Sequence, residues 1–412
     1  LGPSWTNACI SPGTRFMKMI TEAITEYCRE RKSFWSSEYG FRVVFDTSKT
    51  PGEGEHKIMN FLRKQRATIR AHNVIYGLDA DLIFLSLGLE HKHVYLLRES
   101  KEFGPTQVSA EFTFVDIAKF RNCLDKELGI PKWDFICACT LIGNDFIPPL
   151  PSINVYDDGL DVIFKVYKEV VGELEPGARL VTRNVVSPGF LGKMIEKLAG
   201  LETQMLREIK TSLTRKPKVP KGLADYKLEI WQRDNLVGDY ALDRTNEPDG
   251  SERELWYADS DPQDLCREYF RGIQWTVQYY YDGKTDWTWF YPWLHGPFCS
   301  DFDFSQTSAT PFPEVIEPLR STWQLLLIMP PAYSFLIPRA YWPLMTGELA
   351  PLFPKNPNID YTGKRLQWQG KCDLPRIPKD FMKTMERFEK TLPGPTVMRH
   401  RLVNNTSQPT FI

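Results

Sequence analysis

Acidic residues crowd three glycine-punctuated turns of this chain. Glu53 and Glu55 lie in Pro51-Gly-Glu-Gly-Glu-His-Lys57, Asp79 and Asp81 in Gly77-Leu-Asp-Ala-Asp81, and Asp145 in Gly143-Asn-Asp-Phe146. Each turn adjoins an apolar run, so the acids fall where strands end or helices begin. A fold that gathers this much negative charge needs a cation to neutralise it, and hard oxygen ligands suit Mg2+ or Mn2+ rather than zinc. The chemistry expected of such a site is two-metal cleavage of phosphodiesters.

Each cluster alone has a plainer reading. Glu53 and Glu55 could simply favour the first turn of a helix. Asp79 and Asp81 could be ordinary turn residues, and so could Gly143-Asn-Asp145. The conjunction favours a site, because acids two residues apart can each reach one ion or share two. His56, Lys57, Arg63, Lys64 and Arg66 follow the glutamates on or beside one helix. They read either as a solvated face or as a phosphate track.

A second constellation is aromatic: Gln274-Trp275-Thr-Val-Gln-Tyr279-Tyr280-Tyr281, then Trp287, Trp289, Phe290, Tyr291 and Trp293. Most of these rings are expected to pack a core. One ring left facing the metals could stack on a base, and pattern alone does not choose which. No serine or cysteine nucleophile stands out with a histidine partner.

Composition excludes little. The net charge of -1 neither requires nor forbids a nucleic-acid partner, so any basic groove must be local. The longest apolar stretches, near 135–142 and 325–331, run to about ten residues and are too short to span a bilayer. Of eight cysteines only Cys137 and Cys139 are close, in an apolar run, and they read as buried free thiols. No secretory-signal pattern is visible, so a reduced cytosol or nucleus is expected, and the sequons at Asn404 and Asn405 read as coincidence. The opening at Leu1 suggests a fragment or a processed product.

Along the chain, a helical period over 14–32 precedes a short strand at 41–45 and a helix from Glu53. Strands at 74–76 and 94–97 flank a buried helix at 82–89, and helices are expected at 115–128 and 133–142. The alternation predicts an α/β core over 1–152 with a parallel sheet and a site beyond the strand ends. A helical segment follows over 153–210, then a charged, Pro-containing connector over 211–263. A Trp-rich, mainly helical block covers 264–375, and 376–412 reads as a tail.

Taken together, Pro12-Gly-Thr14, Pro51 to Met59, Asp79-Ala-Asp81-Leu and Gly143-Asn-Asp-Phe-Ile-Pro-Pro-Leu-Pro-Ser152 resemble the 5′→3′ exoribonuclease (Xrn) family. So do Gly272-Ile-Gln-Trp275, Tyr279 to Gly283, Trp287-Thr-Trp-Phe-Tyr-Pro292, Met329-Pro-Pro-Ala332 and Gly363-Lys-Arg-Leu-Gln-Trp-Gln-Gly370. The motifs stand in the family's order. The resemblance implies a flap-endonuclease-like (PIN-type) α/β core and a processive, Mg2+- or Mn2+-dependent hydrolase. Its substrate would be single-stranded RNA with a 5′-monophosphate, and its products nucleoside monophosphates. Carried over by motif, Glu53, Glu55, Asp79, Asp81 and Asp145 match metal ligands, and Trp275 matches one side of a clamp on the first base.

The family's pattern also has a preceding stretch with two further metal-binding aspartates, much of the 5′-phosphate pocket and a histidine facing the tryptophan. This chain starts after it, its connector is short, and Arg15 follows Pro-Gly-Thr where an acidic or neutral residue is usual. An incomplete site and weak activity without that N-terminal segment are therefore expected. Gln274 and the Trp-Thr-Trp-Phe-Tyr-Pro run lean towards the cytoplasmic type. The rivals are a flap-type endonuclease, which the Trp-rich block disfavours, and a truncated paralogue that binds RNA or protein without cutting. Retention of all five acids disfavours the latter, since an unused cluster repels itself.

Overall fold

The computed structural model describes residues 5–40, 42–65, 71–99, 112–155, 158–214, 256–257, 260–283, 286–305, 311–312, 318–360, 370–378, 380–393 and 410–411. Arg66, most of the 211–263 connector, the motif at 363–369 and the Asn404 and Asn405 sequons lie outside the described residues. Contacts divide the chain into two units: residues 1–53, 316–358 and 372–412, and residues 54–315 with 359–371.

In the first unit, α1 (Arg15–Tyr39) starts where Thr14 accepts the Met17 amide proton at 3.3 Å, a side-chain cap. It stops at Gly40, whose φ of 65° lets the chain turn out of the helix. The helical period extends seven residues beyond the expected end at 32. The strand expected at 41–45 is reduced to β1 (Val44–Phe45), paired antiparallel with Thr410–Phe411. A small core around Trp323, Leu326, Tyr341, Phe381 and Met385 surrounds one buried acid. Glu389 accepts from Trp323 Nε1 at 2.7 Å and Tyr341 Oη at 2.8 Å, and pairs with Arg320.

The second unit opens with α2 (Gly54–Lys64), β2 (His72–Tyr76), α3 (Asp81–Gly88) and β3 (His93–Glu99). β2 and β3 pair in parallel, Tyr76 opposite Leu97, with α3 as the crossover. The sheet is mixed, not wholly parallel. β4 (Phe112–Asp116) joins β3 antiparallel, which the alternation did not predict. Its outer residues are mostly exposed, so it carries no buried-strand signature. Asp116 then caps α4 (Ile117–Cys123) by accepting the Lys119 amide at 3.1 Å, so only the helical half of this stretch was legible. Met59, Leu62, Ile75, Leu85, Leu96 and Ile117 form the core between sheet and helices.

The helical part of this unit comprises α5 (Lys132–Cys139), α6 (Gly159–Glu173), α7 (Pro188–Thr214) and α8 (Pro262–Asp282). Val166, Val170, Leu191, Leu198, Ile273 and Val277 supply its interior. Cys137 and Cys139 are buried and unbridged there, and burial raises both thiols above their ordinary range. Asp134, wholly buried, is satisfied by Tyr167 Oη at 2.7 Å and the amides of Leu180 and Val181. Among the described residues no helix is long and apolar enough to cross a membrane.

Candidate functional site

The site is built where β2 ends. Five residues past Tyr76, α3 begins at Asp81, and Asp79 accepts the Asp81 amide proton at 3.1 Å. That turn holds both acids beyond the carboxyl end of a parallel strand, where α/β sheets collect ligands. Glu55 sits in the first turn of α2. Asp145 sits at the tip of a tight loop that its neighbours define. Asn144 Oδ1 accepts the amides of Phe146 at 2.9 Å and Ile147 at 3.0 Å, while its own N–H donates to the Ile147 carbonyl. Gly143 adopts φ 86°, and a Cβ there would lie 2.6 Å from the Pro149 nitrogen.

Four of the expected acids share one electrostatic field. The Asp81 carboxyl is raised to about 6, first by burial and then by the charges of Asp79, Asp145 and Glu55, while a hydrogen bond from Tyr280 opposes the shift. Glu55, the Asp79–Asp81 turn and Asp145 come from three separate stretches of chain, and the fold brings their charges to bear on Asp81. Their donor chemistry fits a hard divalent cation. They form a repelling field and no ready-made shell: among the described residues no three of His, Cys, Asp or Glu are grouped to hold an ion. Glu53 is exposed and belongs to the first unit, whereas Glu55, Asp79, Asp81 and Asp145 belong to the second.

The basic residues of α2 divide. His56 is 3% exposed and stacked on Tyr279 at 3.8 Å, and burial followed by the charge of Arg63 lowers its pKa to about 4. It is a neutral packing ring at pH 7. Arg63 donates to the Tyr280 carbonyl at 2.9 Å and to Asn60, so it braces α2 against α8 and is not turned to a phosphate track. Lys57 is partly exposed and Lys64 exposed.

Trp275 is 6% exposed. Its indole N–H donates to the Asp286 carbonyl at 2.9 Å, and Phe146, Tyr279 and Trp289 surround the ring at centroid distances of 4.7, 5.1 and 5.6 Å. Phe146 directly follows Asp145, so the aromatic layer adjoins the acidic loop. Most of the aromatic block is core, as the residues suggested. Gln274 is also internal: its amide accepts from Val186 and donates to the Asn184 carbonyl, holding a hairpin.

Tyr280 was not anticipated. It is 1% exposed on α8, and its hydroxyl donates to Asp81 Oδ2 at 2.8 Å across 199 positions of sequence. A tyrosine within a run of three gives no local sign of such a contact. The same helix anchors the Asp145 loop: Tyr269 donates to the Pro148 carbonyl at 2.9 Å, and Gly272 lets Ile147 approach the backbone.

Comparison with known proteins gives the family to which the chain is similar. Residues 2–100 match the family described as XRN 5′-3′ exonuclease N-terminus, and residues 129–228 and 258–406 match Xrn1 helical domain. The chain is 28% identical to human 5′-3′ exoribonuclease 1, over 93% of its own length and 27% of that relative's. It is 25% identical to a Drosophila melanogaster 5′-3′ exoribonuclease 2 homolog and 24% to 5′-3′ exoribonuclease 2 of Arabidopsis thaliana. Those matches cover 98% and 95% of this chain but only 56% and 52% of the relatives.

Proposed function

This chain belongs to the XRN 5′-3′ exonuclease family, and from that premise we propose that it forms part of a divalent-metal-dependent 5′→3′ exoribonuclease. What supports the reading is that Glu55, Asp79 and Asp145 act by charge on the part-buried Asp81 carboxyl at the end of a parallel strand. Its architecture would be of the flap-endonuclease-like type. The type would be the cytoplasmic one.

Glu55, Asp79, Asp81 and Asp145 would hold Mg2+ or Mn2+. When bound, such a pair supplies an activated water and stabilises the extra charge at phosphorus during in-line hydrolysis. The chain's own residues position the substrate. The Asp145 loop holds one acid beside the aromatic layer of Phe146 and Trp275. The exposed edge of that layer would meet the first base of a 5′-monophosphorylated RNA, and Lys57 a phosphate. His56, neutral and stacked, supports Tyr279 behind them and is not suited to meet phosphate as a cation.

Release of nucleoside monophosphates tests the reading. The full-length protein with Mg2+ should digest 5′-monophosphorylated RNA in preference to 5′-hydroxyl RNA, and Asp79→Ala/Asp81→Ala should abolish turnover. Preferential cutting of 5′-flap DNA would point to an endonuclease instead. RNA binding without turnover, indifferent to the double substitution, would leave a non-catalytic binder.

A further inference from the structure

The contact between α8 and α3 assigns a role to a residue for which the sequence motifs implied none, and it rests on the proposed metal site. We propose that Tyr280 is a positioning residue that orients the Asp81 carboxylate for a divalent cation. Two hydrogen bonds fix Asp81. Its backbone N–H donates to Asp79 Oδ1 at 3.1 Å, and its Oδ2 accepts the Tyr280 hydroxyl at 2.8 Å. Among the described residues Oδ1 accepts no hydrogen bond, so the tyrosine occupies one oxygen and leaves the other to face an ion.

Tyr280 is itself held at both ends. Its ring packs near Phe84 at 6.0 Å, and its carbonyl accepts from Arg63 Nη2 at 2.9 Å. Arg63 lies on α2, which also carries Glu55. Through one residue, therefore, α8 is tied to the helices that present Glu55 and Asp81. Partners of this kind limit a ligand's rotation and lower the cost of ordering it when an ion arrives.

Mn2+ binding to the full-length protein, read by the electron paramagnetic resonance of the free ion, tests the assignment without recourse to activity. Tyr280→Phe keeps the ring and removes the hydroxyl. It should weaken Mn2+ binding about tenfold, as loss of such a partner commonly does, with the unfolding midpoint in EDTA close to the parent's. In an Asp81→Asn background the same change should cost nothing further. Asp81→Glu provides a second variant with Tyr280 intact; moving the carboxylate along one bond should weaken binding comparably.

Unchanged affinity in Tyr280→Phe, or equal loss in the Asp81→Asn background, overturns the assignment and leaves the metal site standing. Parent-like affinity in Asp81→Glu also overturns it, and serves if the phenylalanine variant fails to fold. If Asp81→Asn itself binds Mn2+ as tightly as the parent, the metal-site reading fails and the role of Tyr280 with it.

Discussion

At Asp81 two opposing influences meet on one carboxyl group. Burial and three neighbouring acids raise it to about 6, whereas the Tyr280 hydroxyl favours the charged form. The folded protein therefore holds this proton more tightly than the unfolded chain, and the resulting stability is present at low pH. It declines as pH rises from about 4 through 6. His56 has the opposite sign. Its lowered pKa, about 4, means that folding favours the neutral ring, so its contribution is present above pH 6.5 and lost as pH falls towards 4. The two slopes overlap and largely cancel. In EDTA, Asp81→Asn should raise stability at pH 7 by about 1 kcal/mol, discounted for partial exposure, and leave the rising His56 slope uncovered. Urea denaturation from pH 5 to 7.5 reads both effects; parallel curves for parent and variant would show that Asp81 is not shifted. The acids were legible as residues because Asp and Glu beside glycine are conspicuous. Arg63 was not, since a cation on a helix face looks the same whether it reaches solvent, phosphate or a carbonyl on another helix.

Helices announced themselves through period, but the tasks they perform did not. The expected helices over 14–32 and from Glu53 appear as α1 and α2, because caps and apolar spacing are local properties. β4 was missed because its exposed phenylalanines break the inside–outside alternation by which a strand is recognised. The role of α8 depends on close approach, and one glycine controls it. A Cβ at Gly272 would lie 2.4 Å from Ile147 Cγ2 and 2.8 Å from Trp289. Alanine is the better helix former, yet Gly272→Ala should destabilise by about 1–3 kcal/mol through overpacking. It should also displace the Asp145 loop and lower nucleotide release, while Gly200→Ala, which has open space on α7, should do neither. A Gly272→Ala variant as stable and active as the parent would remove the close approach from the account.

For the molecule as a whole, the charges of Glu55, Asp79 and Asp145 oppose ionisation of Asp81, and a cation at the proposed site would relieve that repulsion. That cost is absent from local sequence pattern, since Glu55, Asp81 and Asp145 become neighbours only through folding. A divalent ion that binds the folded state alone stabilises by mass action, about 2.7 kcal/mol at one hundred times its dissociation constant. Mg2+ should therefore raise the unfolding temperature of the full-length protein in a saturable manner, beyond the effect of NaCl at equal ionic strength, which acts by screening. Asp79→Ala/Asp81→Ala should unfold at a higher temperature than the parent in EDTA, because repulsion has been removed, and should lose the Mg2+ increment. The crossing of those two responses separates a metal site from a merely acidic surface. A surface patch would gain similarly from either salt, and the double substitution would leave the Mg2+ increment in place.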